Sequence, residues 1–382
     1  VSRSRTAAAG GAACPAGSDS LLTRGDDAAG STDQGLLPGM PGPVDSAVPN
    51  SVTAAERVSV PQRVIGPERA TAAGYVAVRE SPGGPGCFSG PGVATALDGL
   101  DDLVDTDRYP LAHPASAAWH DLAARVRREL EATGCSVLTE FVRPDAREAL
   151  RAECTALAPS AYYQAETVNA YNIDIGAPLP EDHPGRIAMR RGNAFVAADL
   201  VPDGVGIRRL YSNESFRRFV AACCGLDRLY ELADPLAQLC LNVIRPGDEH
   251  PWHFDTNEFS LSLLIQEPEA GGVFEYCPDI RSTEAENLEA VRDVLIGRDD
   301  RRAQRLMLRP GDLQLFRGRF SLHRVSPVQG GTARHSAIFA YCERPGVIGS
   351  VARTRQLFGR VLPEHLEAAG QAARVRGDRL LD

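Results

Sequence analysis

The sequence predicts an α+β protein in which amphipathic helices precede a barrel or sandwich of short strands. Ahead of about residue 225 the apolar positions recur at helical spacing. From about Gln238 they fall into short β-type runs punctuated by Gly and Pro, at Pro246–Gly247, Gly271–Gly272, Pro310–Gly311 and Gly330–Gly331. Many short strands separated by turn signals suggest a barrel or sandwich, and helices in front of strands give α+β. A third observation bounds the domain. Residues 1–100 are dominated by Ala, Gly, Pro, Ser and Thr and are nearly free of aromatics, so they bury too little apolar area to offset their ordering entropy. They are expected to be a disordered extension without chemistry, ahead of a folded domain over 101–350 and a helical tail over 351–382.

Within the domain, Ser116 is placed to cap a helix whose stripe is Trp119, Leu122, Ala123, Val126 and Leu130, and Gly134 closes it. Ser136–Leu138 reads as a short strand, and Asp145–Leu157 as a second helix stopped by Pro159. The polar, loop-rich stretch from Tyr162 to Arg209 suits a wall or lid. A helix over Ser215–Cys224 ends at Gly225. Strands follow at Leu239–Ile244, Phe259–Ile265, Gly272–Tyr276, Leu313–Phe316, His323–Val325 and Ser336–Cys342. One helix interrupts them, with Thr283 and Glu286 as its capping box and Gly297 as its end.

Composition removes several function classes. The apolar share of 43% and charged share of 24% are those of a globular protein, and no apolar run is long enough to span a bilayer. A net charge of −9 opposes a broad grip on nucleic acid. Every basic side chain other than histidine is arginine, which excludes Schiff-base and PLP chemistry and the phosphate-gripping lysine of a P-loop. The nine cysteines form no C-x-x-C pair, and the Cys223–Cys224 doublet sits in an apolar helical stretch. Buried thiols in a reducing cytoplasm are the expectation, in keeping with an N-terminus that lacks signal-peptide order.

The chemistry concentrates in three motifs. His253 and Asp255 form H-x-D ahead of an apolar strand, and residues i and i+2 of a strand face one side. His323 stands on a later strand near a turn. Two imidazoles and a carboxylate make the facial triad that holds non-haem Fe(II) with other coordination positions open. Arg334 and Ser336, two apart on the last strong strand, point the same way and suit a carboxylate. Taken singly, each has a plainer reading: an exposed polar pair, a satisfied core histidine, an arginine paired with a surface acid. Their company is what points to an oxygenase.

These motifs resemble the iron(II)- and 2-oxoglutarate-dependent oxygenases. The runs Trp252-His253-Phe254-Asp255, Gly272-Val273-Phe274-Glu275-Tyr276 and Pro310-Gly311-Asp312-Leu313 are most similar to the branch of BesD-like amino-acid halogenases and their hydroxylase relatives. The resemblance covers about Leu103 to Gly349. It implies a double-stranded β-helix (jelly-roll, cupin-like) core with flanking N-terminal helices. It also implies Fe(II) on His253, Asp255 and His323, 2-oxoglutarate on Arg334 with Ser336 as a helper, and O2 as co-substrate. Halogenases of this branch carry a small residue where the carboxylate would stand, leaving room for chloride; Asp255 occupies that position, so hydroxylation is expected.

For the substrate, the resemblance points to His250 and to Arg190 as the holder of an α-carboxylate, with Trp252, Asn257 and Glu275 lining the pocket. The branch's acidic grip on a lysine side chain has no counterpart near Leu236 and Leu239. A small molecule, a free amino acid or derivative in a biosynthetic pathway, is the expected partner, with no nucleic acid and no membrane. The rivals are desaturation or cyclisation by the same centre, a peptide or protein hydroxylase, and a metal-bearing β-barrel that binds a ligand or senses oxygen without turnover.

Overall fold

A computed structural model describes residues 75–77, 99–369 and 380–381 of the chain. Of the N-terminal hundred, Tyr75–Ala77 is a strand that pairs antiparallel with Val347–Gly349. The expected disorder of the remainder lies outside the described residues.

Ten strands build the core: β1 Cys135–Leu138, β2 Ala194–Val196, β3 Leu239–Ile244, β4 His250–His253, β5 Ser260–Gln266, β6 Phe274–Cys277, β7 Gln304–Leu306, β8 Leu313–Phe316, β9 Leu322–Val325 and β10 Arg334–Phe339. They form a six-stranded major sheet in the order β1-β8-β5-β10-β3-β2 and a four-stranded minor sheet in the order β7-β6-β9-β4. All pairings are antiparallel, and from β3 to β10 the chain changes sheet at every step but one, β6 and β7 being consecutive partners in the minor sheet. That winding is a double-stranded β-helix, or jelly roll.

Alternation explains which residues face inward. Leu239, Leu241, Leu263, Leu313, Leu315, Ala337 and Phe339 pack into one apolar cluster with α1 (Ala117–Thr133), α2 (Arg147–Leu157) and α3 (Glu214–Cys223). The intervening Cys240, Asn242, Ser262, Gln314 and Ile338 line the interior of the roll. The helices therefore cover the outer face of the major sheet through Trp119, Val126, Leu130, Phe216 and Phe219. Truncating any of these buried leucines to alanine would cost about 2–5 kcal/mol.

Local signals set α1 as expected. Ser116 Oγ accepts from the Trp119 N–H at 3.2 Å, and Gly134 adopts the left-handed conformation (φ 70°) with its N–H on the Leu130 carbonyl. Elsewhere tertiary partners override the pattern. Asp145 pairs with Arg143, and α2 begins two residues later without a side-chain cap. The Thr283–Glu286 capping box does not form: Thr283 donates to Glu284, while Glu286 receives Arg281 and the Leu381 N–H. The interrupting helix α4, Leu288–Leu295, instead follows Asn287 at positive φ. The single strand expected over Ser336–Cys342 divides into β10 and a two-residue strand, Tyr341–Cys342, that turns to pair with Tyr230–Glu231.

Among the described residues no helix is long and apolar enough to cross a membrane. The segment read as a tail carries α5, Val351–Phe358, capped by Ser350, and a further helix, Pro363–Ala369. α5 packs on β2 through Phe358 and Phe195, whose ring centroids lie 6.4 Å apart.

Candidate active site

His323 on β9 lies opposite His253 at the end of β4, which brings two imidazoles together on adjacent strands of the minor sheet, tilted 51° to each other with centroids 4.1 Å apart. Each ring is fixed by its own strand. His253 Nδ1 lies 2.8 Å from the Pro251 carbonyl and His323 Nδ1 lies 2.9 Å from the Ser321 carbonyl. A carbonyl only accepts, so both Nδ1 atoms carry the proton and both Nε2 atoms present lone pairs to the site.

Asp255 meets them from beyond the strand rather than from within it. The chain leaves β4 at His253. Its Phe254 N–H then donates to the Ala170 carbonyl and its Asp255 N–H to the Gly318 carbonyl. The carboxylate arrives with Oδ1 3.7 Å from His253 Nε2 and Oδ2 3.5 Å from His323 Nε2. Ser260 Oγ donates to Asp255 Oδ2 at 2.5 Å. Gly318 is required by contact: a Cβ there would stand 2.1 Å from Asp255 Oδ2.

The three ligand atoms lie within 4.8 Å of one another, as a single ion requires. Electrostatics agree with that donor set. Burial, then the neighbouring His323 ring, pushes His253 down to about 3, which keeps it neutral and ligating at physiological pH. Burial would raise the Asp255 carboxyl, but the His323 and His253 rings and the Ser260 hydroxyl outweigh it and hold it far below the usual carboxylate range. The residues present therefore fit a divalent metal of the Fe(II) type.

Arg334 opens β10 and shares its inward face with Ser336 and with Ile338, which lines the interior cavity. Its Nη1 donates to Ser336 Oγ at 3.1 Å, and it has no acidic partner among the described residues. Burial lowers its pKa to about 10. A buried guanidinium without a counter-ion is costly unless an anion joins it, and a carboxylate co-substrate meets that need.

The cavity beside the triad measures about 180 Å³, and His250 and Asn257 line it. His250 stacks on His253 with centroids 3.8 Å apart, and burial drives its pKa well below the ordinary value. Arg190, Trp252 and Glu275 lie outside this lining. Arg190 is 56% exposed and pairs with Asp248 at 2.8 Å and with the Tyr163 hydroxyl. Trp252 packs in a separate cluster beneath Arg324, and Glu275 is tied to Arg305 and Arg324.

Ser260, Gly318, Asn172, Phe195 and Arg353 are at the site without having been expected there. A glycine between two arginines, in the turn ahead of the second histidine, was a signal for Gly318. Ser260 opens the strand that follows the H-x-D motif, but a serine there carries no signal of its own, and Asn172, Phe195 and Arg353 are brought in by segments remote from the motifs.

The jelly roll and its two-histidine, one-carboxylate cluster are the fold and donor set of a non-haem iron site. The family model described as HalD, Halogenase D, matches residues 118–351, more than half of the chain, and the chain belongs to that family. No curated protein matches it.

Among solved structures, AviO1 from Streptomyces viridochromogenes Tue57 is 16% identical, with a TM-score of 0.40 over 59% of this chain and 96% of that one. A prolyl-4-hydroxylase from Pseudomonas putida is 18% identical, with a TM-score of 0.36 over 57% of this chain and 97% of that one. An oxidoreductase of the 2OG-Fe(II) oxygenase family from Burkholderia pseudomallei is 16% identical, with a TM-score of 0.38 over 59% and 92%. Scores this low say nothing of substrate or reaction.

Proposed function

We propose that this protein hydroxylates an unactivated C–H bond of a small molecule, a free amino acid or a derivative of one, in a biosynthetic pathway. The observation that carries the reading is Asp255: a carboxylate stands at the third ligand position and is built in by Ser260 and Gly318. Iron and 2-oxoglutarate, when bound, supply decarboxylation of the keto acid to succinate and CO2, with one oxygen atom of O2 going to succinate and the other to the substrate carbon.

The chain's own groups hold and orient. His253 and His323 give Nε2 and Asp255 gives one oxygen, leaving the remaining coordination positions for co-substrates. Arg334, with Ser336 beside it, grips the distal carboxylate of 2-oxoglutarate. The small cavity holds the target carbon near the metal, where orientation decides which hydrogen is lost.

Halogenation is the second reading, and the family match favours it. The two readings separate by product mass. Anaerobically iron-loaded protein is given 2-oxoglutarate, chloride, O2 and a panel of free L-amino acids, and succinate and products are followed. Succinate stimulated by one amino acid, with a product heavier by one oxygen, is the expected result. A chlorinated product from the wild type would overturn hydroxylation. Asp255→Gly is expected to suppress hydroxylation at least about 100-fold by opening the third ligand position; an unchanged rate would remove Asp255 from the ligand set.

A further inference from the structure

Of the three ligands, Asp255 is the one that stands outside a strand. β4 ends at His253, and Phe254 and Asp255 run on between two separate segments, their N–H groups on the Ala170 carbonyl at 2.9 Å and the Gly318 carbonyl at 3.1 Å. The Phe254 carbonyl accepts from Asn172 Nδ2 at 3.3 Å.

One fully buried side chain bears on this stretch and on its neighbour: Arg281, in the loop between β6 and α4. Its guanidinium lies over the Phe254 ring, Cζ 3.8 Å from the centroid, and the Tyr171 ring flanks Phe254 at 5.5 Å. The Arg281 N–H donates to the Phe320 carbonyl at 3.2 Å, and its Nε donates to the Arg319 carbonyl at 2.7 Å. Those carbonyls belong to the segment that starts at Gly318, against which Asp255 is seated, and reaches Ser321, whose carbonyl orients His323. Arg281 thus joins the residue between His253 and Asp255 to the segment that serves Asp255 and His323.

The guanidinium is itself held from behind. Nη1 donates to Glu286 Oε2 at 3.2 Å and to the Leu381 carbonyl at 2.9 Å, and the Leu381 N–H donates to Glu286 Oε1. One ion pair therefore satisfies both main-chain groups of a residue 100 positions on. Leu380 is buried, and Leu381 packs against the cluster that contains Phe254 and Tyr171. Stability does not account for this arrangement. A buried guanidinium–carboxylate pair is commonly no better than apolar side chains of similar volume. Here Nη2 is also buried without a hydrogen-bond partner among the described residues, a further cost. What the geometry gains is a fixed Phe254.

We propose that Arg281 is a positioning residue for the metal site, clamping the loop that carries Asp255, and that Leu381, docked on Arg281 and Glu286, keeps the clamp closed. This rests on the metal-site reading above.

The test begins on the metal-free full chain, by hydrogen–deuterium exchange. The Phe254 and Asp255 amides are expected to exchange at least about 10-fold faster in Arg281→Met than in the wild type, with those of α1 and β3 unchanged. In anaerobic titration Fe(II) affinity should fall about 10- to 100-fold, the scale for a group that orients a ligand, with Arg281→Lys in between. Leu381→Pro, which removes the N–H that Glu286 accepts, should act in the same direction by about 3- to 10-fold. Phe254→Leu should resemble Arg281→Met, and the double variant should lose no more than the worse of the two. If Arg281→Met does not fold, Arg281→Met/Glu286→Gln, which leaves no lone carboxylate behind, takes its place.

Loop amides that exchange as in the wild type in a folded Arg281 variant would overturn the proposal, as would unaltered Fe(II) affinity in a loosened loop. The same result in Leu381→Pro would overturn the part given to Leu381. Exchange raised equally throughout the chain, or additive losses in the double variant, would reduce Arg281 to a structural residue and overturn the proposal too. Wild-type protein that binds no Fe(II) would instead overturn the metal-site reading, and the exchange rates would still decide the clamp.

Discussion

The two sheets of the roll hold their functional side chains by different physical means. On the minor sheet, His253 and His323 are each locked by the carbonyl two residues earlier in the chain, at 2.8 and 2.9 Å. The lock is local and hydrogen-bonded, and it fixes tautomer and aim before any ion arrives. On the major sheet, Arg334 is held mainly by burial. It stands opposite Ile244 in the strand pairing, its side chain donates to Ser336 Oγ, and among the described residues no acid pairs with it. The minor sheet thus presents a preorganised donor set, while the major sheet presents a buried charge that a carboxylate would complete. Removing a group from each should consequently damage different steps.

The largest effect is expected from His323→Ala. Losing one of three ligands should lower Fe(II) affinity by more than about 100-fold and abolish turnover, while circular dichroism shows the fold intact. Iron bound as before in an anaerobic titration would place the metal elsewhere. Gly318→Ala attacks the same wall indirectly, because its methyl group must displace the Asp255 carboxylate. Iron affinity should fall about 10- to 100-fold, the usual scale for disturbing a group that orients a ligand. An unaffected titration would show that the Asp255 position tolerates the shift.

Arg334→Met tests the other wall. The KM for 2-oxoglutarate should rise about 10- to 100-fold with iron affinity preserved. A parallel loss of iron binding would mean that the two walls are not separable.

The smallest effect is on stability against pH. His335, buried on β10 beside Arg334, is pushed down to about 4 by burial and by Arg151. In the unfolded chain the ring titrates near about 6.5, so between these values the unfolded state binds more protons. Stability from this group is full above about pH 6.5 and falls as pH drops toward 4, by up to about 1.4 kcal/mol per unit. Urea melts at pH 4.5 and 7 should show the slope, and His335→Leu should flatten it. An undiminished acid slope in that variant would assign the sensitivity to other groups.

How much could be read from the chain differs between particular residues. His253, Asp255, His323, Arg334 and Ser336 were legible because each sits in a short motif on or beside a strand with a clear period. The helix from Ala117 was legible because Ser116 and Gly134 mark its ends. Arg190 and Arg191 show the opposite case. The short strand that ends at Arg191, Met189–Arg191, has no apolar alternation to fix its facing, and only the pairing with Glu166–Val168 shows that Arg190 goes to the surface and Arg191 inside.

The sequence by itself determined the α+β class and singled out a candidate donor set and a candidate arginine for a carboxylate, since these depend on residue type and on periods of two or 3.6. Tertiary structure decided the rest. It carried Asp255 off its strand onto Gly318, set α5 against β2, and brought Phe195, Ala237, Leu357 and Arg353 to one cavity. Contacts between segments so far apart depend on how the whole roll closes and packs, and no local period records them.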